Sequence, residues 1–172
     1  MKYIRYIPVV ALILIAAATR LIDHPFNFTA VGAMALFAGA NVRDRRLAFL
    51  LPMLTMLATD FIIGFHNVMI PVYACFAFTV LLGVLVGEKQ NLWRIGAASV
   101  TSSVIFFLVT NLPFWFGTRY PYTLEGAMTS YTAALPFFRN ELAGDLFYNA
   151  VLFGTFALVK MRFPVLAEKK IR

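Results

Sequence analysis

Chemistry in this chain can reside only in the few polar groups set inside long apolar runs. Asp60, Tyr73, Asn111, Arg139 and Asp145 are the clearest of these, with Trp115 and Tyr148 as aromatic neighbours. A charged group in hydrocarbon is costly, so it usually faces a cavity or a partner. Asp60, in Met-Leu-Ala-Thr-Asp-Phe-Ile-Ile-Gly, shares its helical face with Met53, Met56 and Gly64. It reads either as a carboxylate tied to Arg20, Arg139 or a neighbouring helix, or as a ligand contact at the floor of an outward pocket. Asn111 and Trp115 are i,i+4 neighbours, and the Asn111 amide requires hydrogen-bond partners. Asp145, Tyr148 and Asn149 share one face, and Arg139 is a natural partner for Glu141, Asp145 or an anionic ligand group. Together these residues describe a polar, aromatic site for a small molecule, with Trp115 and Tyr148 as stacking walls.

Metal and nucleophile chemistry find less support. Cys75 is the one cysteine, which excludes an internal disulfide and a thiolate cluster. It lies in the series Cys75, Thr79, Gly83, Gly87, a small-residue stripe of the kind that lets membrane helices approach closely. A thiolate also suits soft metals and corrinoids, so both readings of Cys75 stand. His24 and His66 have no ligand spacing and make weak metal candidates. No phosphate-binding loop, HExxH or GxSxG motif occurs, and no resident cofactor is expected. The alternatives to ligand capture are a membrane enzyme using Asp60 with His66 or Asp145 as acid–base partners, and a structural protein without a pocket.

The elements that must position these residues are membrane helices. Hydrophobic residues make up 61% of the 172 and charged residues 13%, well away from the balance of a soluble domain. Since about 20 apolar residues cross a bilayer, the runs at roughly 6–22, 27–42, 47–65, 68–87, 94–115 and 142–160 read as six spans. The second is short and interrupted by Gly32 and Gly39. The expected fold is all-α, a single integral membrane domain over 1–172. The segment 117–141 is read as an extracytoplasmic loop containing a short amphipathic helix, with Leu124, Met128, Tyr131 and Leu135 at 4-3-4 spacing. Lys2, Arg5 and Ala16-Ala17-Ala18 also fit a signal peptide, but the run continues into further apolar segments, which favours a retained first span.

Charge then orients the bundle. Twelve of the fifteen Lys and Arg fall on one side, and the other side has Arg20, Arg119 and Arg139. The excess of positive charge inside places both termini in the cytoplasm, in a multi-pass protein of the plasma membrane. The net charge of +7 is thus a matter of topology and calls for no nucleic-acid partner. The lipid bilayer and a small-molecule substrate are the expected partners.

Several runs also carry a resemblance. Asn27-Phe-Thr-Ala-Val-Gly-Ala-Met-Ala-Leu-Phe-Ala-Gly39, Thr59-Asp60, Val72-Tyr73, Phe106-Phe-Leu-Val-Thr-Asn111, Leu135-Pro-Phe-Phe-Arg-Asn140 and Gly144-Asp145 resemble a family of small bacterial membrane proteins grouped with transport proteins. That family in turn resembles the substrate-binding S components of energy-coupling factor (ECF) vitamin transporters. The resemblance implies a six-helix bundle with cytoplasmic termini and an outward site for a vitamin-like compound or metal, capped by loops. It also implies an ATP-driven energising module supplied by other chains. A similar small corrinoid-transporter family uses a cobalt-ligating cysteine, and Cys75 is the residue here that could take that role. The chain departs from S components in one respect: no Ala-x-x-x-Ala pair lies between Tyr6 and Ile22, and the nearest small-residue face is Ala35 with Gly39.

Overall fold

In a computed structural model, which describes residues 6–87 and 89–163 apart from the side chains of Phe114, Trp115 and Thr118, the chain is all-helical. Six α-helices follow one another: α1 (Ile7–Ala18), α2 (Val31–Asn41), α3 (Arg45–Ile63), α4 (Met69–Val86), α5 (Leu92–Thr110) and α6 (Leu124–Arg162). Short 3-10 turns lie at Thr19–Leu21 and Pro113–Arg119. The starts of three helices are written locally. The side chains of Asp44, Asn91 and Thr123 accept hydrogen bonds from the first free amides of α3, α5 and α6. Gly64 and Gly87 close α3 and α4 at positive φ, where a side chain would be strained.

Four helices, α3 to α6, are long and apolar enough to cross a membrane. Their packing is inside-out relative to a soluble bundle. On α3 the exposed stripe is Leu47, Leu50, Leu54, Leu57 and Phe61, while the buried face is Ala48, Pro52, Met56, Thr59 and Asp60. On α5 Val100, Val104 and Leu108 face outward, and Ser99, Ser102 and Ser103 are buried. A helix in water would reverse both patterns, so the solvent for these faces is hydrocarbon. The architecture is that of a helical membrane protein.

The remaining two helices are short. α1 and α2 have 12 and 11 residues, about 18 Å and 16 Å at 1.5 Å per residue, against a hydrocarbon core of about 30 Å. α2 is the centre of the bundle: it touches all five other helices, and its first nine residues are buried. Small residues permit this. A Cβ at Gly39 would overlap the Val80 carbonyl, and one at Gly83 would overlap the Leu36 carbonyl, so α2 and α4 meet backbone to backbone. The stripe Cys75, Thr79 and Gly83 is therefore buried packing surface, and the Ala35–Gly39 face is enclosed in the core. Val9, Ile13, Ala16 and Ala17 of α1 belong to the same core, so the first apolar run is part of the bundle.

Between 117 and 162 the structure departs from the sequence reading. The amphipathic helix and the sixth span are one helix of 39 residues, α6, about 58 Å long. Pro136 reads as a break, but helices of membrane proteins accommodate an internal proline where neighbours re-satisfy the freed carbonyl. The 4-3-4 series also faces the other way, because Leu124, Met128 and Leu135 are exposed. The buried face is the small series Gly126, Ser130 and Ala134, continuing through Gly144, Asp145 and Asn149 to Leu152 and Phe156. Ser130 Oγ donates to the Asn111 carbonyl (2.8 Å) and the Tyr131 hydroxyl donates to the Leu108 carbonyl (2.7 Å), tying the first turns of α6 to the end of α5.

Replacing Gly83 with leucine is expected to destabilise the protein by about 1–3 kcal/mol through overpacking against α2. The same change at Gly154, which has open space around its Cβ position, is expected to be near neutral. Thermal melting in detergent, followed by fluorescence-detected size exclusion, measures both.

Candidate functional site

The N-terminal end of α2 lies inside protein and its C-terminal end is half-buried, so its unsatisfied amides and carbonyls need partners. At the C-terminal end Asn41 Nδ2 donates to the Phe37 carbonyl (2.9 Å), and Gln90 Nε2 donates to Asn41 Oδ1 (3.0 Å). At the N-terminal end Ala30 has no side-chain cap of its own. Thr19 Oγ1 accepts from the Ala30 amide (3.2 Å) and donates to the Ala16 carbonyl (2.6 Å). The first turn is met by Asp145, from α6. Its carboxylate lies so close to Gly32 that a Cβ there would overlap it, the Ala33 backbone amide faces it, and Ser103 Oγ donates to Oδ2 at 2.8 Å. A carboxylate at a helix N-terminus meets both free N–H groups and the positive end of the helix dipole. One turn further along α6, Asn149 Nδ2 donates to Ser99 Oγ (3.0 Å).

A second polar cluster holds α1, α3 and α4 together. Arg20, in the turn after α1, forms an ion pair with Asp60 (Nη2–Oδ1, 2.8 Å) and donates from Nη1 to Thr59 Oγ1 (2.6 Å). The Tyr73 hydroxyl donates to Asp60 Oδ2 at 2.6 Å. Asp60 is only 1% exposed, and a guanidinium and a phenol occupy its two oxygens. Of the two sequence readings of Asp60, this geometry matches the structural one, with Arg20 as the partner.

Between these clusters lies a cavity of about 500 Å³. It is at the end of the bundle that carries the α1–α2, α3–α4 and α5–α6 connections. Gly32, Phe76, Ser102 and Asp145 line its deepest part, and His24, Phe26, His66 and Phe116 lie near its mouth. From Thr110 down to Ser102, both on its wall, α5 descends about 12 Å. Arg20, Glu141 and Asp145 are the charged residues among those lining the wall, and seven phenylalanines are its largest single residue type. Phe107 packs on Phe138 with ring centres 4.7 Å apart, and Phe76 on Phe106 at 5.3 Å. Phe26 meets Phe137 edge-on, and Asn140 Nδ2 donates to the Phe26 carbonyl (3.1 Å), which ties the α1–α2 connection to α6.

The residues singled out from the sequence divide around this cavity. Asn111 and Asp145 line it. Asn111 Nδ2 donates to the Phe107 carbonyl (2.9 Å), which closes α5. Asp60 and Tyr73 are not on the wall; they stand behind Arg20, which is. Arg139 is exposed and makes no ion pair among the described residues, so it partners neither Glu141 nor Asp145. Tyr148 packs on Phe28 and Phe147, with ring centres 5.7 Å and 5.1 Å away, outside the cavity. The Trp115 side chain lies outside the described residues. Of the metal candidates, Cys75 is buried off the wall, while His24 and His66 are on it; His24 Nδ1 is 2.9 Å from the Pro25 carbonyl. No group of three His, Cys, Asp or Glu suited to a metal occurs among the described residues.

Arg20, Glu141 and the phenylalanine walls were not assigned to the site from sequence. Glu141 lies just before the sixth span as read from sequence; with the helix begun earlier it stands four residues before Asp145 on the same face.

Removing one partner of the buried ion pair tests the first cluster. Arg20→Ala is expected to cost about 3–5 kcal/mol by stranding Asp60. The double variant with Asp60→Asn is expected to melt higher than Arg20→Ala alone, because the uncompensated charge is then gone. Equal melting of the single and double variants would contradict the pairing.

No curated protein and no solved structure matches the chain significantly. A family model, by contrast, matches residues 2–166, nearly its whole length, and so the protein belongs to DUF6580, a family of unknown function.

Proposed function

We propose that this protein captures a small molecule at the outer side of the plasma membrane for uptake, in the manner of a transporter's substrate-binding subunit. The observation that carries this reading is the cavity: about 500 Å³, within the range typical of small-molecule sites. Its apolar aromatic walls with a few convergent polar groups are the usual make-up of such a site.

Orientation comes from charge. Arg43, Arg45, Arg46, Lys89, Arg94, Lys160 and Arg162 belong to the end of the bundle opposite the cavity. With positive residues inside, that end and both termini are cytoplasmic, and the cavity opens outward. The terminal basic residues Lys2, Arg5, Lys169, Lys170 and Arg172 lie outside the described residues but belong to the same count. The chain is then a multi-pass protein whose short α1 and α2 are completed by the segments around them.

Two alternatives fit less well. An acid–base enzyme centred on Asp60 lacks a free carboxylate, because Arg20 and Tyr73 hold both oxygens. A purely structural protein would present its small-residue stripes to partners, whereas Cys75–Gly83 and Ala35–Gly39 face one another inside the bundle. That enclosure also removes Ala35–Gly39, the small-residue face nearest to the one that S components present to an ATP-driven module. Any energising partner docks elsewhere.

Orientation is tested in a Cys75→Ala background. A cysteine replacing Asn67, in the α3–α4 connection, is expected to react with an impermeant maleimide on intact cells. A cysteine replacing Arg45 is expected to react only after permeabilisation, and the reverse pattern would refute an outward cavity. Capture is tested by native mass spectrometry of the purified protein. A co-purifying small molecule is expected, and it should be lost from Ala134→Trp, which fills the cavity. Retention of the same mass in that folded variant would place the ligand elsewhere.

A further inference from the structure

The charges around the cavity are unevenly satisfied, and that imbalance points to the kind of molecule it takes. Arg20 is the only Lys or Arg among the described residues of the wall, and it is already paired with Asp60 and hydrogen-bonded to Thr59. An anionic ligand would have to compete with a carboxylate already 2.8 Å from the guanidinium. On the opposite wall Asp145 is held by Ser103 and the first turn of α2. Glu141, one turn nearer the mouth, is half-buried and makes neither a hydrogen bond nor an ion pair among the described residues. A half-buried carboxylate on a phenylalanine-rich wall without a counter-charge is costly. A bound cation would remove that cost.

The rings favour the same occupant. Aromatic faces attract ammonium and other organic cations electrostatically, and more strongly where water is excluded. The size of the cavity and the absence of a three-ligand cluster among the described residues argue against a bare metal ion. Resting on the capture reading above, we propose that the ligand is an organic cation, an amine or a positively charged heterocycle with an apolar body. Its charge lies against Glu141, with Asp145 beneath, and its body against Phe106, Phe107 and Phe138.

Three probes with the same phenylethyl body and different head-group charge test this: 2-phenylethylammonium, 2-phenylethanol and 3-phenylpropanoate, titrated calorimetrically into the full chain in lipid nanodiscs, with empty nanodiscs as the blank. The cation is expected to bind at least about tenfold more tightly than the alcohol, as one charge-assisted contact would give, and the propanoate more weakly than either. Glu141→Gln, which breaks no described contact and should melt within a few degrees of wild type, is expected to narrow the cation-to-alcohol preference about tenfold. Saturable binding of the alcohol or propanoate as tight as that of the cation would overturn the charge assignment and leave the capture reading standing. An unchanged preference in Glu141→Gln would overturn the role of that residue. Failure of all three probes to bind would overturn both readings.

Discussion

Everything at the working end of this bundle depends on one interaction, the Asp145 carboxylate set against the first turn of α2. α2 is too short to cross a bilayer, and its N-terminal amides end within the bundle. Ala30, the residue that begins it, offers no side-chain cap of its own. A carboxylate delivered from α6, 113 positions later in the chain, takes that place, with Ser103 of α5 fixing its second oxygen. Gly32 is what lets it approach. The same interaction decides where the cavity can be. Because α2 begins part-way down the bundle, the space above its N-terminus is left to the other five helices and their connections. Those supply aromatic rings and few charges.

The two polar clusters divide the labour by geometry. Arg20, Asp60, Thr59 and Tyr73 close on themselves and lock α1, α3 and α4 together. Asp145 and Ser103 fasten α5 and α6 to α2. Both are buried charge in a protein whose outer faces are apolar, where an unpaired group has no water to turn to. The cavity between them inherits one paired cation and one carboxylate, Glu141, that has no hydrogen-bond or ion-pair partner among the described residues. Its electrostatic character is therefore a by-product of how the helices are held.

Much of this was legible in the sequence. The short connections, the interrupted second span and the polar inner half of α5 were written in local composition, and the Cys75–Gly83 stripe identified a close helix contact correctly in kind. Asp145 and Asn149 were recognisable as one face by spacing alone. What could not be read was which long-range partner each polar group takes. No periodicity links Asp145 to Gly32, or Arg20 to Asp60. The other loss had a local cause. Pro136 and the apolar series Leu124, Met128 and Leu135 look like a break after a surface helix. In hydrocarbon, however, the exposed face of a helix is the apolar one, and a proline need not end it. Reading that stripe as lipid-facing makes α6 continuous.

The central claim is that the space above α2 is a ligand site and not a packing defect. An experimental structure of the full chain, purified from its native membrane without added ligand, tests it most directly. The account predicts non-protein density between Glu141, Asp145 and the Phe106–Phe107 wall, with Asp145 still seated on the first turn of α2. A cavity filled by its own phenylalanine side chains, with no space for a ligand, would contradict it.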